Sequence, residues 1–326
     1  MLSRVARSLF ELGRSVERAH HVAQIIEVSH KMNLERVDHN EAEVWQAISN
    51  AFGGDPSVTL EREIYEGFVL SETHPYSVRK CVGQARFEGR AMREHISEEM
   101  WLHLNHTHLE FKTITFESVM SVGRSEFNRR VTIFSDALSG LADDTMIRGE
   151  AWAFLRIGKL TERASMICKI LKIKQKSITP ELDGGPIDVH QWQALLRSLS
   201  GYEPYRRAYD ARIIPSRVLE FVLKRRDFPR SLAGCILEIQ KATSVISTGG
   251  ESPSDLDVAT ARLVEKLRLT DTDNLLANDL FPSYLNEIES ICAEMAKATN
   301  LAFFRASRPN AVGDIALQSI WTGMQQ

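Results

Sequence analysis

The segment Gly13-Arg14-Ser15-Val16-Glu17-Arg18-Ala19 and its near-copy Gly158-Lys159-Leu160-Thr161-Glu162-Arg163-Ala164 each set a glycine four residues ahead of a carboxylate that an arginine follows. On a helix, residues four apart share one face, so Gly13 stands over Glu17 and Gly158 over Glu162. A glycine inside a helix costs about 0.5–1 kcal/mol relative to alanine. Bearing that cost twice implies close approach of another helix, or of a ligand, beside a carboxylate. Two readings follow. In one, a buried Glu–Arg pair fixes a helix–helix contact. In the other, Glu17 and Glu162, with Arg18 and Arg163, face one cleft and hold a cation, an amine or a metal, or do acid/base work. The last requires burial to push the two carboxyl pKa values apart.

Other groupings are weaker. Glu17/His20 and Glu27/His30 have the Glu-x-x-His spacing of di-iron bundles. Both lie on one helix, and Ser165 and Gln175 replace the histidines in the copy. Glu99, His103, His106 and Glu110 fall on one helical stripe able to reach a metal, but it is turned away from the apolar face and reads as a solvated flank. Gly184-Gly185 and Gly249-Gly250 lack the context of a phosphate cradle. Arg86, Arg90, Arg93, Arg124, Arg129 and Arg130 are interleaved with acids, which suits ion pairs rather than an anion site. Neither a metal nor a cofactor is expected. Cys81, Cys168, Cys235 and Cys292 form no CxxC pair, so they read as reduced core thiols in a cytoplasmic protein.

The elements that must position these residues are helices. Apolar residues at three- and four-residue steps predict one amphipathic helix over 2–32 and another over 148–177. Val78, Val82, Ile96, Met100 and Leu104 predict a third over 76–107. Ser77 and Ser231, each two residues after a proline, suit N-cap regions. Breaks are expected at 53–57, 180–186 and 247–255, and 305–326 reads as a loosely held tail. No segment alternates convincingly as a strand.

The copy extends beyond the glutamate motif. Trp45-Gln46-Ala47 recurs at Trp192-Gln193-Ala194, Phe68-Val69-Leu70 at Phe221-Val222-Leu223, and Pro75, Ser77 and Cys81 at Pro229, Ser231 and Cys235. The order is kept while the offset grows from 145 to 154 residues, as small loop insertions would make it. The expected architecture is therefore all-α, a tandem duplication of two similar helical halves packed about a pseudo-twofold. The halves run 1–145 and 146–300, share one core, and are followed by the 301–326 tail. Met1 aligns with Met146, so the Arg- and Ser-bearing start reads as the first helix and not as a cleavable leader.

Composition agrees. The 326 residues carry 40 Lys+Arg against 43 Asp+Glu, a net charge of −3, with 43% hydrophobic residues. That balance argues against a nucleic-acid binder working through a basic field. Only 18 glycines and 10 prolines leave few turns for an all-β fold. No apolar run reaches the roughly 18–20 residues of a membrane span. A homo-oligomer stays open.

Met1-Leu2-Ser3-Arg4-Val5-Ala6, Gly13-Arg14 and Glu17-Arg18-Ala19 together resemble the N-terminal signature of the bacterial Alpha-E domain family. So do Ile96-Ser97 with Glu99-Met100-Trp101, Glu162-Arg163-Ala164, Asp183-Gly184-Gly185-Pro186 and Phe228-Pro229-Arg230-Ser231. Phe10-Glu11, Lys159 and His20-His21 depart from the family pattern. The resemblance covers roughly residues 1–300 and implies an all-α protein without an assigned catalytic residue. It also implies two partners, a circularly permuted ATP-grasp ligase and a transglutaminase-like protein. On that basis the chain is expected to be a helical partner or substrate-presenting subunit in peptide or amide-bond synthesis. The alternative is an enzyme with its site between the halves, on Glu17 and Glu162.

Overall fold

A computed structural model describes residues 1–34, 41–176, 185–246, 254–300 and 303. Among them are fifteen α-helices and no strand. In chain order they are α1 (Ser3–Leu34), α2 (Glu41–Ala51), α3 (Glu61–Tyr65), α4 (Val78–Ala91), α5 (Glu98–Lys112), α6 (Phe116–Val122), α7 (Arg124–Thr145), α8 (Glu150–Lys176), α9 (Pro186–Ser198), α10 (Tyr202–Ala208), α11 (Pro215–Lys224), α12 (Leu232–Val245), α13 (Asp255–Leu269), α14 (Thr272–Ala277) and α15 (Phe281–Thr299). A π-helical turn, Glu66–Leu70, continues α3. The all-α expectation holds. None of the described helices is long and apolar enough to cross a membrane.

Two long helices form the centre. α1 packs against α8, α4, α7 and α9, and α8 against α1, α12, α15, α9 and α2. Both are therefore buried on most sides, and the single apolar stripe read from α1 is only part of what it buries. Leu9, Leu12, Val16, Ala19 and Ile26 are buried, but so are Glu17, His20, His21 and Glu27. One continuous apolar core runs from Val5 on α1 to Ala298 on α15. Trp45 of α2 and Trp192 of α9 are both fully enclosed in it.

The helix expected over 76–107 is two helices. The apolar pattern continues across Met92 and Ile96, yet both side chains turn into the core and the chain folds back there. Ser97 then caps α5, its hydroxyl accepting from the Met100 amide at 3.2 Å. α4 and α5 lie antiparallel, with Arg86 Nε donating to Asn105 Oδ1 at 3.2 Å. Ser231 caps α12 by accepting from the Gly234 amide at 2.9 Å. Ser77 holds the equivalent place before α4, but its hydroxyl donates to the Val69 carbonyl instead. The break expected at 53–57 is a turn with Gly53 at φ +68°. Most of 180–186 and 247–255, and all of 305–326, lie outside the described residues.

The four cysteines are buried free thiols. Burial pushes the Cys81 and Cys235 thiols up to about 12, so the reactive thiolate is scarce. Cys168 and Cys292 lie with their sulfurs 3.9 Å apart. A thiol reagent at pH 8 should label none of the four within minutes in the folded protein, and all four in guanidinium. Rapid labelling of one in the native state would show that it lies outside the core.

Candidate functional site

The site is built where α1 and α8 touch. Met1 lies beside Glu150, Gly13 beside Leu155 and Lys159, and Arg18 beside Glu162. The offset is nearly constant, so the two helices run side by side in the same direction. Gly13 and Gly158 make this possible. A Cβ on Gly13 would come within 2.9 Å of the Lys159 nitrogen and closer still to the Leu155 carbonyl oxygen. A Cβ on Gly158 would lie 2.8 Å from the Phe10 carbonyl carbon and run into its oxygen. Backbone meets backbone at both points.

One turn on, the carboxylates reach across. Glu17 on α1 accepts two hydrogen bonds from Arg163 on α8, Nε to Oε1 at 2.6 Å and Nη2 to Oε2 at 2.9 Å. Glu162 on α8 accepts the same pair from Arg18 on α1, at 2.6 and 2.8 Å. The forked geometry is the strong form of this interaction. Each arginine has one more bond, Arg18 Nη1 to the Pro75 carbonyl and Arg163 Nη1 to the Pro229 carbonyl, both 3.2 Å. Farther along, Gln24 on α1 donates to the Arg197 carbonyl of α9, and Lys169 on α8 to the Ala51 carbonyl of α2. Glu17, Arg18, Glu162 and Arg163 are thus brought together at one level of the α1–α8 contact.

The two carboxylates nevertheless face different surroundings. Glu162 also accepts from Arg14 Nε at 2.9 Å and lines a cleft of about 520 Å³ between α8, α15 and Tyr76. Glu17 instead sits in a cluster with Arg163, Lys159, Arg230, His20 and His21. His21 Nε2 lies 3.0 Å from Glu17 Oε1. An ionised carboxylate can only accept, so the imidazole carries its proton on Nε2. Arg230 Nη1 is 3.7 Å from the same oxygen. Lys159 Nζ donates to Ser139 Oγ at 2.6 Å. His20 is 2% exposed, and among the described residues neither of its ring nitrogens has a hydrogen-bond partner.

Electrostatics follow from this layout. Burial alone would raise the Glu17 carboxyl, but the Arg163 guanidinium and the His21 hydrogen bond outweigh it and hold it well below the usual range. Burial would likewise raise Glu162, and Arg18 and Arg14 pull it below the ordinary value. Burial, then Arg230 and His21, push His20 well below 6.5. His21 is lowered by burial against the pull of Glu17. Burial, reinforced by Arg163 and Arg230, brings Lys159 down to about 8 against the pull of Glu17.

These directions give a pH profile. A histidine whose folded pKa lies below its unfolded value leaves the unfolded chain to take up protons first, so stability is lost as pH falls below 6.5. Glu17 and Glu162 contribute fully above 4.5 and lose their contribution as pH falls through their lower folded values. Lys159 acts only above about 8. The melting temperature should hold between pH 7 and 7.5 and fall steadily from 6.5 to 4. A His20→Leu variant should flatten the limb between 6.5 and 5; an unchanged limb would show that the imidazole is not the cause.

The remaining histidine groupings are dispersed. Glu27 accepts from Ser125 Oγ at 2.6 Å and pairs with Lys31, while His30 faces Glu61. His103 Nε2 lies 3.0 Å from the Phe134 carbonyl oxygen, and Glu110 pairs with Arg130. His106 and Glu99 are exposed. Among the described residues no three His, Cys, Asp or Glu side chains are grouped to hold a metal ion. The Glu17 cluster contains two residues that spacing did not single out. Arg230 arrives from the turn before α12, which no helical register connects to α1. His21 could have been found, since Gly13, Glu17 and His21 are four residues apart on one face.

No curated protein and no solved structure matches the chain. The sequence model of the Alpha-E family, described as a predicted alpha-helical domain with a conserved ER motif, matches residues 1–304. This chain carries a Glu-Arg dipeptide at 17–18 on α1 and at 162–163 on α8, the two helices that the reciprocal ion pairs join. The chain belongs to the Alpha-E family.

Proposed function

We propose that the chain is a non-catalytic helical subunit that docks on, or presents substrate to, an ATP-grasp-type ligase in a bacterial peptide or amide-bond synthesis system. One observation carries the non-catalytic part: Glu17 and Glu162 are each saturated by forked arginine bonds and held ionised. A carboxylate so held is a poor proton donor and a weak base near neutral pH. Its work is to fasten α1 to α8. The ligase and the transglutaminase-like protein enter as partners through the family resemblance, and the setting is cytoplasmic. We also read the chain as a duplicated unit, 1–145 and 146–300, turned about a pseudo-twofold along the α1–α8 contact. The reciprocal bonds of Arg18 and Arg163, and of Gln24 and Lys169, support that reading.

The test is biochemical. The purified chain should bind the circularly permuted ATP-grasp ligase at micromolar concentration and change its turnover of a peptide substrate. Absence of both effects would overturn the proposal. The enzymatic alternative makes the opposite demand: Glu17→Gln with Glu162→Gln would abolish product formation while leaving the fold intact.

A further inference from the structure

The cleft beside Glu162 has a chemistry that the ion pairs do not use. Thr161, Ser165 and Lys169 line it at four-residue steps along α8, and Asn286, Glu289 and Ser290 line the facing wall on α15. Several helical hydroxyls of the protein donate back to the carbonyl four residues earlier. Ser139, Thr145, Ser198, Thr243 and Thr299 all do so. Thr161 is 3% exposed, and among the described residues its hydroxyl has no partner. A buried hydroxyl left unpaired is costly; Oγ1 is turned inward from the cleft that Thr161 lines and has no bond to lose in rotating toward a group bound there.

Lys169 supplies the second sign. Its ammonium donates to the Ala51 carbonyl at 2.9 Å and lies over the rings of Tyr76 and Phe52. None of these partners carries a charge, and among the described residues two of its three N–H donors remain. The other charges of the cleft are already matched, Glu162 by Arg14 and Arg18, and Glu289 by Lys172. One cation left uncompensated among the described residues suits a singly charged carboxylate better than a dianionic phosphate, whose second charge would have no counter-charge there.

The polar stripe from Thr161 to Lys169 spans roughly 12 Å at 1.5 Å per residue. An extended peptide of three or four residues covers the same length at about 3.3 Å each. A volume of about 520 Å³ lies within the usual range for such ligands.

The geometry points to a binding site for the carboxylate end of a short peptide, its carboxylate on Lys169 and its amides along Thr161, Ser165, Asn286 and Ser290. This rests on the substrate-presenting reading and names the class of substrate that the chain would hold.

The experiment is affinity selection read by mass spectrometry. The probes are a pooled library of N-acetylated tripeptides with free C-terminal carboxylates, the same library amidated, L-glutamate and inorganic phosphate. Free-carboxylate peptides should be retained, amidated ones lost, and neither glutamate nor phosphate should displace the peptides at equal concentration. Lys169→Met should weaken retained peptides at least about tenfold, the loss of a charge-assisted hydrogen bond. Thr161→Val keeps the side-chain volume, removes the unpaired hydroxyl, and should weaken binding by about threefold with the melting temperature unchanged or higher. Equal retention of amidated peptides, preference for phosphate, or full binding by the folded Thr161→Val and Lys169→Met variants would overturn the site. So would retention of no peptide at millimolar concentration. A chain that binds the ligase yet retains no peptide would remove this site and leave the docking role standing. Peptide binding without ligase binding would do the reverse.

Discussion

Gly158→Ala is expected to destabilise the protein by at least about 3 kcal/mol, at the severe end of overpacking, although alanine is the better helix former by about 0.5–1 kcal/mol. The sign is decided by what the added methyl would meet. It would lie 2.8 Å from the Phe10 carbonyl carbon and 2.9 Å from Phe10 Cα, with the carbonyl oxygen nearer still. These are backbone atoms of a helix packed on five others, so no side chain can rotate away. Relief requires α1 and α8 to separate, and the forked ion pairs one turn on would lengthen with them. Gly13→Ala should behave alike, since its Cβ would strike the Leu155 carbonyl. Gly140, in α7, is the control. Nothing lies within 4 Å of a Cβ there, and Gly140→Ala should be neutral or stabilise by up to about 1 kcal/mol. Chemical denaturation of the three variants measures this directly. If Gly158→Ala matched Gly140→Ala, the close approach of α1 and α8 would be wrong.

The second large effect is an inequality between the two glutamates. Glu17→Gln preserves shape and removes the carboxylate that Arg163, Arg230 and Lys159 share. Asp136 acts on the two arginines only from an exposed position. Leaving buried cations unmatched in this way costs about 3–5 kcal/mol. Glu162→Gln leaves Arg14 still paired with Glu11 and Arg18 still stacked on Tyr76, so a smaller loss of about 1–3 kcal/mol is expected. Adding Lys159→Met to Glu17→Gln should return part of the loss, because it removes one of the repelling cations. Equal losses for the two glutamates, or no rescue by Lys159→Met, would count against the cluster as described. A double glutamine variant within about 1 kcal/mol of the parent would show that the pairs do not hold the helices.

Much of this was legible from residue order. The apolar steps gave α1 and α8 to within two residues at each end, and the paired glycines marked where the two helices touch. The break after α4 was harder to read. Val82, Ile96, Met100 and Leu104 continue one pattern across it, and the local cue was Ser97-Glu98-Glu99, a cap followed by acids in the first turn. What spacing could not supply was the third dimension. Arg230 and Lys159 join Glu17 from a turn and from the opposite helix, whereas Arg14 and Tyr76 join Glu162. The two Glu-Arg segments share a motif, and their different neighbours make one a cation-rich cluster and the other the wall of a cleft.

The parallel pairing of α1 with α8 also governs the order of events at synthesis. The earlier-made of the two helices binds Glu17 to Arg163 and seats Gly13 against Leu155 and Lys159, residues some 145 positions later. At about 5–20 residues per second, α1 waits roughly 7–30 s for α8 to be made. Until then α1 has native partners only on the faces that meet α2, α4 and α7, and the face carrying Gly13 and Glu17 has none. The first 145 residues released alone should remain unfolded or be captured by chaperones, and the rate of productive folding should be set by closure of this long-range contact.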